Sequence, residues 1–198
     1  MTVTKARTLI LAVVCLLLSS CGVNNAILRT SAPVDLKSKG VAILSLGYAG
    51  TAPPYQNYWV QISAPNQTAT DLTFFASPNN MFGDSKLTLV SSKGTTDLVA
   101  LDLSPGEYRV EKVGAFSDTG PYSWGGLKRP PLVATTFSVV AGEVSYLGSA
   151  LLQRNADGSF GYVVSDESGR DVGIFRSIRP EFGSLPVRKS LLSSKAAL

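Results

Sequence analysis

Beyond residue 40, apolar and polar positions alternate along most of the chain, the period of two that half-buried strands impose. Tyr58, Val60 and Ile62 fall on one face of "YWVQIS", Leu72 and Phe74 on one face of "DLTFFA", and Val99, Leu101 and Leu103 on one face of "LVALDL". "VAILSL" from Val41, "KLTLV" from Lys86, "EYRVEKV" from Glu107, "TTFSVV" from Thr135, "EVSYLGSALLQ" from Glu143 and "SFGYVVS" from Ser159 complete nine segments. Strands this short, separated by turn residues, predict an all-β fold: a β-sandwich of about eight to nine short, mostly antiparallel strands.

Local turn chemistry refines the pattern. "SPGE", Ser104 to Glu107, puts Pro then Gly between two strand segments, the order a type II turn prefers, and predicts a hairpin. "NADGS", Asn155 to Ser159, carries the Asp-Gly hairpin signal. Its Asn155 and Asp157 also occur in calcium loops, but the further acidic ligands such a loop needs do not follow, so a plain turn is expected. "LDLSPGEYRVEKVG" and "FSVVAGEVSYLGS" share a strand, Gly-Glu and strand order that suggests a duplicated β-hairpin. In "DESGRDVGIFRSIRP", Asp166 can cap a helix, Val172, Phe175 and Ile178 recur at helical spacing, and Pro180 closes the segment. One short C-terminal helix is predicted there, although Gly169 and Gly173 each weaken it by up to about 1 kcal/mol relative to alanine.

The first twenty residues follow a different logic. Lys5 and Arg7 form a charged start, Leu9 to Leu18 an apolar stretch, and Ser19 and Ser20 a small-residue end, the three parts of a secretory signal. The apolar stretch is about half of the roughly 20 residues a membrane-spanning helix needs. Cys21 follows at once. Its only possible disulfide partner in the chain, Cys15, lies inside the leader and would be discarded with it, and a catalytic thiol would lack the usual base because the protein contains no histidine.

Leu18, Ser19, Ser20 and Cys21 resemble the lipobox of bacterial lipoprotein signals: an aliphatic residue, two small residues and the cysteine at the cleavage site. The resemblance implies a diacylglycerol on the Cys21 sulfur, cleavage before Cys21, and acylation of the new amino terminus, the palmitate-type modification of such proteins. Two or more acyl chains give stable anchoring where one is marginal. Gly22 stands where, by resemblance to enterobacterial lipoproteins, an aspartate would favour inner-membrane retention; the expected address is the outer membrane, lipid-anchored and facing the periplasm. "VNNAILRTSAPVDLKSKG" has no sustained period and reads as a tether with a root-mean-square span of roughly 25 Å. The expected organisation is signal peptide 1–20, lipidated tether 21–40, β-sandwich domain 41–182 and C-terminal tail 183–198, with "VRKSLLSSK" as a solvated basic stretch.

Composition mainly excludes. Of the formal +4 charge, Lys5 and Arg7 belong to the leader, leaving 16 basic and 14 acidic residues, without the concentrated basic face that nucleic-acid binding needs. The missing histidine removes the commonest general base and metal ligand together. No serine stands three positions before a lysine, and neither a nucleophile elbow nor a phosphate-binding glycine loop occurs. No catalytic residue, metal site or cofactor is therefore expected. Paired carboxylates remain as an alternative route to carbohydrate chemistry, with Glu107, Glu111, Glu143, Asp118 and Asp166 as candidates.

The aromatic content is more suggestive. "GYAGTAPPYQNYW" and "FSDTGPYSWGGLKRPP" together hold Tyr48, Tyr55, Tyr58, Trp59, Tyr122 and Trp124 among glycines and prolines. If Tyr58 points inward, Trp59 points outward. Such rings either close the ends of the sandwich core or form a recognition surface, and Trp59, Tyr55, Tyr122 and Trp124 are the candidates for a ligand or partner surface.

"PGEYRV", "FSVVAGEVSYLG", "DGSFGYVVSDES" and the helical segment ending in "RP" together resemble a broad group of uncharacterised bacterial lipoproteins with a prealbumin-like or carboxypeptidase-regulatory-like β-sandwich. The resemblance covers roughly residues 96–182, rests on turn and strand pattern, and brings no activity to any residue. The expected role is a non-catalytic envelope binding or assembly module contacting an envelope protein or glycan. The alternatives are a surface-exposed adhesion or structural lipoprotein and a carboxylate-based carbohydrate-active enzyme.

Overall fold

The computed structural model describes Leu28 and residues 33–50, 57–64, 72–76, 87–118, 124–126, 132–157 and 159–193, with backbone alone for 72–75, 117–118, 124–126 and 132–134. The described strands are β1 (Gly40–Ala49), β2 (Asn57–Ser63), β3 (Leu72–Ala76), β4 (Thr88–Ser91), β5 (Gly94–Leu103), β6 (Gly106–Asp118), β7 (Trp124–Gly126), β8 (Leu132–Val139), β9 (Val144–Arg154), β10 (Phe160–Ser165) and β11 (Val187–Lys189). Helix α1 (Ser168–Ile178) and a 3-10 turn (Pro180–Phe182) lie between β10 and β11. The described fold is all-β with a short helix near the C-terminus.

Two sheets form. The first has the order β10-β9-β1-β5-β4, with β11 also beside β9; the second has the order β3-β2-β6-β7, with β8 also beside β6. Pairing is antiparallel except where β9 meets β1 and β11. Between the sheets lies the main core, with Leu44, Leu46 and Tyr48 from β1, Tyr58, Val60 and Ile62 from β2, and Val99, Leu101 and Leu103 from β5. The outer face of the first sheet carries a second apolar cluster, in which Val41, Ile43, Leu98 and Tyr146 pack with Val172 and Phe175 of α1, Phe182 and Leu28. The first nine residues of β1 are therefore buried, which is why the strand reads as a continuous apolar run instead of an alternating one.

Burying Val172 and Phe175 contributes about 1.5–3 kcal/mol each, which outweighs the roughly 2 kcal/mol that two helical glycines cost. Gly169 and Gly173 face open space. The N-cap is Glu167, without a side-chain cap bond, instead of Asp166, which stands one residue earlier and accepts the Ser168 N–H at 3.0 Å. In β9 the alternation is broken at Gly148, which has φ +106°, and the register with β1 slips there. This bulge keeps Leu147, Ala150 and Leu152 all in the main core.

Two expectations about turns change. "NADGS" does join an antiparallel pair, β9 and β10, but "SPGE" does not make a hairpin: β5 ends in the first sheet and β6 begins in the second. The Tyr108 hydroxyl donates to the Ser104 carbonyl at 2.9 Å, pinning the corner as tyrosines do in other sandwiches. Its look-alike "VVAGEV" carries the chain back, from β8 in the second sheet to β9 in the first. The two similar segments are thus sheet-crossing corners, not a duplicated hairpin.

The C-terminal stretch is also no free tail as far as residue 193. β10 covers β9 only from Ser149 to Arg154, and an uncovered edge leaves backbone donors and acceptors unpaired. β11 fills the remaining edge in parallel, Val187 to Lys189 against Val144 to Tyr146, and the Leu192 N–H donates to the Leu147 carbonyl at 2.9 Å. Leu192 is buried in the main core. Arg188 and Lys189 are ion-paired with Glu143 and Asp166 at 3.2 and 2.8 Å. Of the segment expected as tether, Leu28, Val34 and Leu36 pack on the second cluster, so its last part belongs to the folded unit.

Replacing Leu192 with alanine is expected to lower the unfolding free energy by about 2–4 kcal/mol. The same change at Leu191, which is 40% exposed, should stay within about 0.5 kcal/mol. Urea denaturation of both variants checks this. The hydrogen bond from Lys189, followed by those from Ser168, holds the Asp166 carboxyl down from 3.8 to about 2. A lowered pKa favours the folded state above about pH 4 and loses that contribution as pH falls toward 2. Carboxyl titration by NMR should place the Asp166 midpoint near 2, returning toward 3.8 in Lys189→Ala.

Candidate binding surface

The two outer faces of the sandwich differ. That of the first sheet is covered by α1, the 3-10 turn and the side chains of Leu28, Val34 and Leu36. That of the second carries the residues alternating with the core positions of β2 and β6: Trp59 and Gln61 on β2, Lys112, Gly114 and Phe116 on β6. All except Gly114 are half-buried or exposed.

Trp59 is paired directly with Gly114. A Cβ on Gly114 would lie 2.3 Å from both Cε2 and Cζ2 of the indole, so the ring rests on the glycine backbone and no larger residue fits beneath it. Tyr58 is fully buried in the main core and Trp59 half-buried outside it, as the alternation required. Trp59 therefore does not close an end of the core; it lies against the outer side of the sheet. Further along β6, Ser63 donates to Glu111 at 2.7 Å and Arg109 lies 3.5 Å from the same carboxylate. The Ser138 hydroxyl donates to Glu107. With Lys112, the described charges balance, giving a mixed polar surface around the Trp59 and Phe116 rings.

Trp124 sits on β7, in register with Asp118 of β6. Its backbone position is on the opposite side of β6 from Trp59 and roughly 16 Å away by strand geometry. The two tryptophans thus share a sheet. Tyr55, Tyr122 and Cys21 lie outside the described residues.

The candidate carboxylates are distributed between the sheets. Glu107 and Glu111 belong to β6, Glu143 stands before β9, and Asp166 precedes α1. Glu143 and Asp166 hold the cations of β11, and Asp166 is pushed down, away from the raised pKa that a general acid needs. The side chain of Asp118 lies outside the description.

A buried polar network escaped the sequence reading. Asp171, fully buried on α1, accepts from the Tyr146 hydroxyl at 2.8 Å and from Arg170 Nε at 2.7 Å. The Tyr146 hydroxyl also accepts the Glu167 N–H at 3.1 Å. Burial, then the Asp171 charge, pushes the tyrosine far above its ordinary pKa, so it remains a neutral donor. The Lys93 ammonium, 2.6 Å away, holds the Glu167 carboxyl below the usual range. With its oxygen both donating and accepting, Tyr146 pins the helix to the sheet. Asp171, one turn before Phe175 on the apolar side of the helical pattern, was the available signal.

No family model matches the chain, and no curated protein does. Among solved structures, it is similar to a leucine-rich repeat protein from Bacteroides thetaiotaomicron VPI-5482 at 17% identity and TM-score 0.37, covering 61% of this chain and 14% of that one. It is also similar to a "Putative cell adhesion protein" from Parabacteroides distasonis ATCC 8503 at 16% identity and TM-score 0.30, covering 64% of this chain and 38% of that one.

Proposed function

We propose that the protein is a lipid-anchored lipoprotein of the outer membrane, periplasm-facing, whose sandwich domain is a non-catalytic module that binds an envelope protein or glycan through the outer face of its second sheet. The observation that carries the binding reading is Trp59 lying on Gly114 in a half-exposed position. No described helix covers this face. A flat indole held by the backbone suits stacking on a sugar ring or insertion as a contact anchor, and the balanced charges around it suit a partner without strong net charge. The anchor reading rests on Leu18, Ser19, Ser20 and Cys21 behind a charged start and a short apolar run.

Cys21→Ser should move the protein from the membrane fraction to the soluble or leader-retaining fraction, and metabolic labelling with a fatty acid should be lost with it. Crosslinking and capture of the anchored protein from its own envelope should recover a component that Trp59→Ala loses and Val90→Ala retains; both variants should keep the thermal transition of the parent. Recovery of lipid and porins alone, or of the same components from Trp59→Ala, would overturn the binding reading.

A further inference from the structure

We infer that the anchored domain is oriented: the helix-covered face of the first sheet lies toward the bilayer and the Trp59 face of the second sheet points away. This rests on the proposed acylation of Cys21. The chain docks as far upstream as Leu28, which is 6% exposed within the cluster beneath α1. Cys21 precedes Leu28 by seven positions, so the connecting chain reaches at most about 25 Å even when fully extended. Sheets stack about 10 Å apart, and a helix layer adds about as much again, so the outer face of the second sheet lies roughly 20 Å from the layer where Leu28 is seated.

Turning the Trp59 face onto the lipid would stretch nearly every connecting residue straight along the flank of the domain, removing its conformational freedom. With the helix side toward the membrane, no such stretching is needed. The occupant of the helix-side face is thus the lipid surface itself, and the face left accessible is the one that carries Trp59.

The test uses the lipidated protein reconstituted into vesicles of phosphatidylethanolamine and phosphatidylglycerol carrying an energy-transfer acceptor lipid. A fluorophore is placed at Ser177→Cys on α1 or at Thr136→Cys on β8, both exposed. Transfer from position 177 should exceed that from position 136 about two-fold or more, given the separation of the layers. Inserting twelve Gly-Ser residues after Asn25, upstream of every described residue, should bring the two positions close to equality. Equal transfer from the unextended protein, stronger transfer from position 136, or indifference to the insertion would overturn the orientation while leaving the anchor standing. Failure of the protein to float with the vesicles would instead overturn the anchor, and the orientation with it.

Discussion

The architecture depends on burying both faces of β1. Ala42, Leu44, Leu46 and Tyr48 supply the main core, while Val41 and Ile43 supply the second cluster. Its parallel pairing with β9 and antiparallel pairing with β5 place it in the middle of the first sheet. A strand that is apolar on both sides has to be covered on both sides. One cover is the second sheet; the other is assembled from α1, the 3-10 turn and Leu28, Val34 and Leu36. The asymmetry among the described residues, one outer face covered by a helix layer and the other without one, follows from that requirement.

Sealing the first sheet brought charge into a dry layer. A buried carboxylate stripped of its partners costs several kcal/mol, and Asp171 avoids this by taking the Tyr146 hydroxyl and the Arg170 guanidinium. These bonds, together with Lys189 on Asp166 and Lys93 on Glu167, tie α1 to β9, β11 and the loop before β5. Arg188 and Lys189, two of the cations that read in the sequence as a solvated basic stretch, are used as cross-links.

Nine of the eleven described strands and the helix were legible because their signals are local; β7 and β11, three residues each, were not among them. Period two marks β2 and β5, and Val172 with Phe175 marks α1 despite two glycines. The corners were not, because Pro-Gly and Ala-Gly turns serve a hairpin and a sheet-crossing equally well. What separates the two is whether the flanking strands pair or face each other across a core, as Leu103 and Tyr108 do, and that is non-local. β11 was missed for a related reason: an edge strand with outward Arg and Lys looks like coil until the edge it fills is known. Trp59 was readable by alternation, whereas Gly114 gave no sign of its role before the β2–β6 register placed it under the indole. Cys21 remains legible as a motif alone.

The Trp59–Gly114 pair also bears on how a partner would be held. A tryptophan standing free on a sheet loses side-chain freedom on binding, about 0.5–1.5 kcal/mol for an immobilised side chain. Resting on a glycine backbone, the ring has already given up part of that freedom in the folded protein, and only the remainder counts against association. The same contact hides one side of the indole from water, which limits the apolar area left for unspecific association. Any residue larger than glycine at position 114 would lift the ring from the sheet and remove both effects at once. Fold and the proposed recognition therefore meet at that position: the absence of a side chain on β6 would be what makes the side chain on β2 usable.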